Sequence, residues 1–226
     1  MNKTIPLAAA CAIAMATAAI AAPPPANFST NADNSLAYAQ PSSHGSFTPP
    51  LAHRSSLPVI FQNFATSYPK GLYNAFTGAV VSGPKTPHGE FWVASAFTPT
   101  ANAAVQEVDV AAGFNLGVTN TVQLHIYADA NGIPGQDIWA HQIALTQTFG
   151  ACCGIIAVTL KSPLHLTAGT QYWLGMTTVD NGQTVWGSWN LGVADQVTQT
   201  PNAESRGSGW QATLEAPAVA FGIYGK

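Results

Sequence analysis

The chain has 226 residues, of which 7 are Lys or Arg and 10 are Asp or Glu, so that 8% are charged, where an ordinary soluble domain carries about 25%. Nucleic-acid affinity comes mainly from Lys and Arg neutralising phosphates, and seven cations over this length cannot line a basic groove, which excludes nucleic acid as a partner. With 47% hydrophobic and 10% aromatic residues the composition also excludes charge-driven disorder, and it leaves surface polarity to uncharged groups, 22 Thr and 25 Asn plus Gln.

The chain opens with one cation, Lys3, an Ala-rich apolar stretch from Ile5 to Ile20, and then small residues. That order is the order of a secretory signal. Ala19-Ile20-Ala21 supplies an A-x-A cleavage pattern and favours residues 1–21 as the signal; cleavage behind Ala22 would set Pro23 directly after the scissile bond. A spanning helix fits less well, because the run is short and broken by Pro6 and Thr17. A lipid-modified Cys11 would have only ten residues before it and would leave the downstream small-residue site unexplained. The expected location is secreted and extracellular, with periplasm or cell surface as variants, and without stable membrane insertion after cleavage. Residues 22–56 turn to Pro, Ala, Ser and Asn, with six prolines. They read as a flexible leader that buries too little apolar surface to offset its ordering entropy.

From Leu57 onward the pattern is that of strands. Glu107 and Asp109 lie two apart and so share a strand face, a pairing that suits carboxylate chemistry; alternation with Val108 and Val110 puts them on the solvent side. Val122, Leu124 and Ile126 alternate with Gln123, His125 and Tyr127, the period of a half-buried strand. The same period recurs at Ile156, Val158 and Leu160, at Tyr172, Leu174 and Met176, and at Val219, Phe221 and Ile223. Turn signals separate these runs: Asp129-Ala-Asn-Gly-Ile-Pro-Gly135, Ser162-Pro163, Ala168-Gly169 and Asp180-Asn-Gly182. No stretch of ten or more residues has a capped 3.6 period. The expected fold is all-β, an antiparallel β-sandwich of the jelly-roll or immunoglobulin-like kind, in one domain over residues 57–226.

Asp129 and Asn131 place oxygens at alternate positions, as calcium loops do, but Ile133-Pro134-Gly135 follows where further acidic ligands are needed. A hairpin turn between strands at 121–128 and 138–145 explains the segment with fewer assumptions. His125 and His141 fall on the two strands of that hairpin and are placed to meet across it, while His44, His53 and His88 lie in or near the leader. Beyond the signal the only cysteines are Cys152 and Cys153. Outside the cytoplasm they can form a vicinal disulfide, remain as two thiols, or bond between molecules. The vicinal ring is strained, because neighbouring Cα atoms lie ~3.8 Å apart and ordinary disulfides begin at ~4.4 Å. No C-x-x-C or His-x-x-x-His set is present, so neither metal nor cofactor is expected. There is also no G-x-S-x-G, no H-E-x-x-H and no phosphate-binding glycine loop.

The ordered set Ala94-Ser-Ala-Phe-Thr-Pro-Thr100, Asp129 to Gly135, Phe149-Gly-Ala-Cys-Cys153, Leu166-Thr-Ala-Gly-Thr-Gln-Tyr-Trp173, Trp186-Gly-Ser-Trp-Asn190 and Ala220-Phe-Gly-Ile-Tyr-Gly225 resembles a family of secreted bacterial β-sandwich proteins. Its members are labelled choice-of-anchor or PEP-CTERM-associated. The resemblance spans roughly residues 60 to 225. It implies a secreted or surface-displayed sandwich, and the chain departs from anchored members in having no C-terminal sorting motif with an apolar helix and basic tail.

Aromatic residues carry the sharpest functional expectation. Trp186 and Trp189 flank Gly187-Ser188 ahead of Asn190, and Trp210 follows the Gly-rich Gly207-Ser208-Gly209. Indole faces stack on sugar C–H faces while amides bind hydroxyls, so Trp186, Trp189, Asn190 and Trp210 are candidate ligand-binding residues; the competing assignment is core packing, which also fits Trp173. The expected function is a non-catalytic structural or binding module for a polysaccharide or extracellular matrix component. The alternative is a secreted hydrolase assembled from distant carboxylates, with Glu107, Asp109, Asp137 and Asp180 as candidates. A third is an assembly subunit whose sheet edge recruits another strand.

Overall fold

Runs rich in Val, Ile, Thr and aromatic residues, spaced at period two and cut by glycine and proline, form seventeen strands among the described residues and no helix. The structure, a computed structural model, describes residues 27–29, 38–40, 55–65, 72–86, 89–116, 121–150, 154–179, 184–192, 199–213 and 216–226. The first strands are β1 (Asn27–Ser29), β2 (Tyr38–Gln40), β3 (Val59–Gln62), β4 (Asn74–Ser82), β5 (Trp92–Phe97), β6 (Ala103–Val110) and β7 (Ala112–Leu116). The middle of the chain gives β8 (Thr121–Asp129), β9 (Pro134–Ala144), β10 (Ile156–Leu166), β11 (Tyr172–Thr178) and β12 (Trp186–Leu191). The last are β13 (Gln199–Thr200), β14 (Asn202–Ser205), β15 (Trp210–Ala212), β16 (Ala216–Pro217) and β17 (Phe221–Gly225).

The strands pair antiparallel in three main sheets, ordered β1-β2-β4-β12-β7, β10-β6-β17-β3 and β15-β14-β5-β11-β8-β9, with a small β13-β16 ribbon. The first two meet where the chain passes from β6 to β7 at Ala111. Its N–H donates to the Ala220 carbonyl at 3.2 Å and its carbonyl accepts from Asn190 N–H at 2.8 Å. A single apolar core draws on all three sheets: Val81 and Trp189 from the first, Val108 and Phe221 from the second, Leu124, Ile126, Leu174 and Met176 from the third. The sheets are packed as a sandwich, as the alternation requires. No helix of the described residues is long and apolar enough to cross a membrane.

All four expected strands form. β8, β10, β11 and β17 bury the apolar set named for each, with Ile156 half-buried and Val219 bridging to Leu191 just before β17. One expectation gains a detail and two change. First, β1 and β2 lie inside the segment read as a leader, and β2 pairs with β4 through Tyr38↔Ala79 and Ala39↔Gly78. Main-chain pairing needs no apolar period, so composition gives no warning of it. Second, Ser162-Pro163 is not a turn. β10 runs through it, and Pro163 sits in the register break between Thr159 and Leu164 on the edge strand of its sheet, where the missing N–H costs no ladder bond. Third, Asp109 is not on a wet face: it is 0% exposed. β6 lies between β10 and β17, and the Tyr224 ring folds over Gly222, the cross-strand partner of Asp109, leaving no room there for a Cβ. Burial, and then the charges of Asp109 and Glu107, push the Tyr224 phenol well up. Asp180-Asn-Gly182 and Cys152-Cys153 lie outside the described residues.

Candidate functional site

β12 carries three of the four residues expected to bind ligand, and it encloses them. Trp186 and Trp189 are three apart, an odd spacing that sends their side chains to opposite faces of a strand. Both faces are covered, with Phe91 and Phe149 packed on the Trp186 side and Phe221 and the main core on the Trp189 side. Trp186 is 2% exposed and clusters with Val80, Phe91 and Phe149; Trp189 is 0% exposed, packs edge-on to Phe221 and donates its indole N–H to the Ala220 carbonyl at 3.0 Å. Asn190 is buried, and its amide donates to the Asn74 carbonyl at 3.0 Å. These three residues are packed inside the fold and present no face to a ligand. Trp173 also packs as core, with its indole N–H donated to Asp129 at 2.8 Å.

Trp210 differs. It lies half-buried on β15, reached through Gly207 (φ 81°) and Gly209 (φ 92°), a left-handed backbone that suits glycine. The β14–β15 hairpin pairs onto β5 and returns Trp210 over the outer face of the six-stranded sheet. There it meets Tyr127 edge-on at 5.7 Å and Trp92 at 6.5 Å. Ala94, Ala96 and Ala203 form a small-residue floor beneath this second cluster. Gly175 is required by it, since a Cβ would lie 2.7 Å from the Tyr127 ring.

Beside these aromatics is a groove of about 430 Å³ lined by Trp92, Gln123, His125, Tyr127, Thr177 and Thr178, with Pro84, Glu90 and Val179. Trp92 is half-buried, and its indole N–H donates to the Thr178 hydroxyl at 3.2 Å. Among the described residues Glu90 is the one lining carboxylate, and no Lys or Arg contributes. The groove therefore offers an indole, a phenol, hydroxyls, an amide and an imidazole beside a single carboxylate among the described residues, which is mainly uncharged hydrogen-bonding chemistry.

His125 is the most constrained of these groups. It is 9% exposed; Nδ1 lies 2.7 Å from Asp137 Oδ2 and Nε2 lies 2.9 Å from Thr177 Oγ1, while Tyr127 stacks on the ring at 5.0 Å and 16°. An ionised carboxylate only accepts, so Nδ1 carries the proton, and in the neutral ring Nε2 then accepts from the Thr177 hydroxyl. Asp137 is held in turn by Trp139 N–H, which donates to Oδ1 at 3.2 Å. Simple alternation would group Asp137 with Trp139 and His141, away from His125. The register breaks between Ile126 and Tyr127, where Trp139 opposes Ile126 and Asp137 opposes Tyr127, so the bulge at Ile138 turns Asp137 to the outer face. Burial, and then the nearby Asp137 charge, push the Tyr127 hydroxyl up and keep it neutral.

His125 and His141 do not meet. His125 opposes Ala140 and His141 opposes Leu124, so their side chains leave opposite faces; His141 is exposed and stacks on Trp139 at 6.0 Å. The Asp129 segment is the expected hairpin, with Asn131 (φ 58°) and Gly132 (φ 86°) left-handed. Its carboxylate accepts from Gly132 N–H, Gln171 and Trp173, which is turn chemistry rather than cation ligation. Of the four carboxylates considered for hydrolysis, Asp137 reaches the groove through His125, Glu107 and Asp109 lie in a different sheet, and Asp180 lies outside the described residues. No group of three or more His, Cys, Asp or Glu converges as a metal site among the described residues. No family model, no curated protein and no solved structure matches the chain.

Proposed function

We propose that the protein is a secreted binding module whose groove on the outer face of the six-stranded sheet holds a neutral carbohydrate or matrix polymer. The observation that carries this reading is the groove wall itself: Trp92 and Tyr127 beside Gln123, Thr177 and Thr178, with no Lys or Arg among the described residues. Aromatic faces stack on the C–H faces of sugars, and amides and hydroxyls exchange hydrogen bonds with sugar hydroxyls, so such a site works without charge. The signal-like first 21 residues and the resemblance to secreted sandwich proteins agree with an extracellular role.

The test is a screen of the purified chain against immobilised neutral polysaccharides, repeated with Trp92→Ala and with circular dichroism as the fold control. Retention on at least one polymer is expected, with Trp92→Ala weakening it about ten-fold, the equivalent of about 1.4 kcal/mol. Retention that Trp92→Ala leaves unchanged would contradict the groove assignment.

A further inference from the structure

The array Asp137–His125–Thr177 has a geometry that binding alone does not require. A partner on the far nitrogen fixes the tautomer and the aim of the ring, which proton transfer demands more strictly than binding does. Here the imidazole is oriented by a carboxylate at 2.7 Å on one nitrogen and meets a hydroxyl at 2.9 Å on the other, with Tyr127 fixing the ring plane. Three separate strands supply the members: β9 gives Asp137, β8 gives His125 and β11 gives Thr177. Thr177 and His125 both line the groove, whereas Asp137 stands behind the ring. An oriented imidazole that can take a proton from a hydroxyl is the arrangement that activates an oxygen nucleophile.

We propose that Thr177 is the nucleophile of an acyl-transfer site that removes ester-linked acyl groups from the neutral polymer in the groove; the substrate class rests on the binding reading above. The Thr177 oxygen attacks the ester carbonyl carbon as its proton passes to His125 Nε2. The bond from the carbonyl carbon to the sugar oxygen then breaks, and His125 returns the proton to that departing oxygen. Water, deprotonated by the same nitrogen, attacks the acyl–Thr177 ester; the bond from the carbonyl carbon to the Thr177 oxygen breaks, a carboxylic acid leaves, and His125 passes its proton to the Thr177 oxygen, restoring the hydroxyl. Asp137 is a positioning residue: it holds the proton on Nδ1 and stabilises the imidazolium while it carries charge. Gln123 lies directly across the ladder from Thr177, which puts a neutral amide next to the attacking oxygen.

The test is hydrolysis of 4-nitrophenyl acetate by the full chain. Saturable turnover is expected, with Thr177→Val falling at least about 100-fold, Thr177→Ser restoring turnover, and Asp137→Asn lowering kcat while KM is held. After an acid quench, peptide mass mapping is expected to find the acetyl group on Thr177. Wild-type hydrolysis no faster than buffer, or full turnover in a folded Thr177→Val, overturns the proposal. Polysaccharide retention measured on the wild type separates the two readings: retention without turnover refutes catalysis alone, whereas turnover without retention refutes the polymer assignment alone.

Discussion

Asp129 shows how one side chain can look like a metal ligand and act as a turn lock. Some desolvation pushes its carboxyl up, and hydrogen bonds from Trp173, Gly132, Gln171 and Asn131 outweigh that, holding it below the ordinary value of 3.8. A carboxylate with a depressed folded pKa adds stability that is complete above the ordinary value and is lost as pH falls through the lower folded one. Melting temperature measured against pH should therefore drop more steeply below about pH 4 for the wild type than for Asp129→Asn; parallel curves would show that the bonds do not bias protonation. The tryptophans make the same point about context. The odd spacing of Trp186 and Trp189 already tells that they cannot share a strand face, so a platform built from both was excluded by parity. What no spacing reveals is that Trp92 and Trp210 become neighbours at 6.5 Å, because the β14–β15 hairpin has to fold back first.

At the scale of elements, alternation in β8 is readable in the sequence, and it assigns Val122, Leu124 and Ile126 to the core as found. Its other face, expected to be wet, is largely covered, because Tyr127 lies over Gly175 and Trp210 packs edge-on to Tyr127. Tyr127 in turn sets the plane of His125, so Gly175 supports the groove at one remove. Gly175→Ala should cost about 1–3 kcal/mol as an overpacking change, read by urea denaturation, and should alter the near-ultraviolet dichroism of the aromatic cluster. A change within about 0.5 kcal/mol would mean that Tyr127 moves freely. The Asp137–His125–Thr177 array is hidden for a related reason. Its members are 12 and 52 residues apart from His125, they match no local motif, and the bulge at Ile138 reverses the face that period-two counting gives to Asp137.

For the whole molecule, the shortage of charge with which the chain begins has a structural counterpart. The sandwich buries aromatics between sheets and places a second aromatic set on one outer face, where hydroxyls and an amide outnumber the one described carboxylate, Glu90, along the groove. An all-β sandwich follows from the strand periods, turn glycines and lack of helical repeats; the position of its groove follows only from which outer face the β14–β15 hairpin covers. The account stands on Trp92, rather than Trp186 or Trp189, being the indole that meets ligand. Nitrogen-15 spectra resolve the indole N–H of each of the six tryptophans, and titration with a polysaccharide retained in the screen reads them directly. The Trp92 signal should move in a saturable way, with Trp210 following and Trp186 and Trp189 unmoved; saturable shifts of Trp186 or Trp189 with Trp92 unchanged would contradict the account.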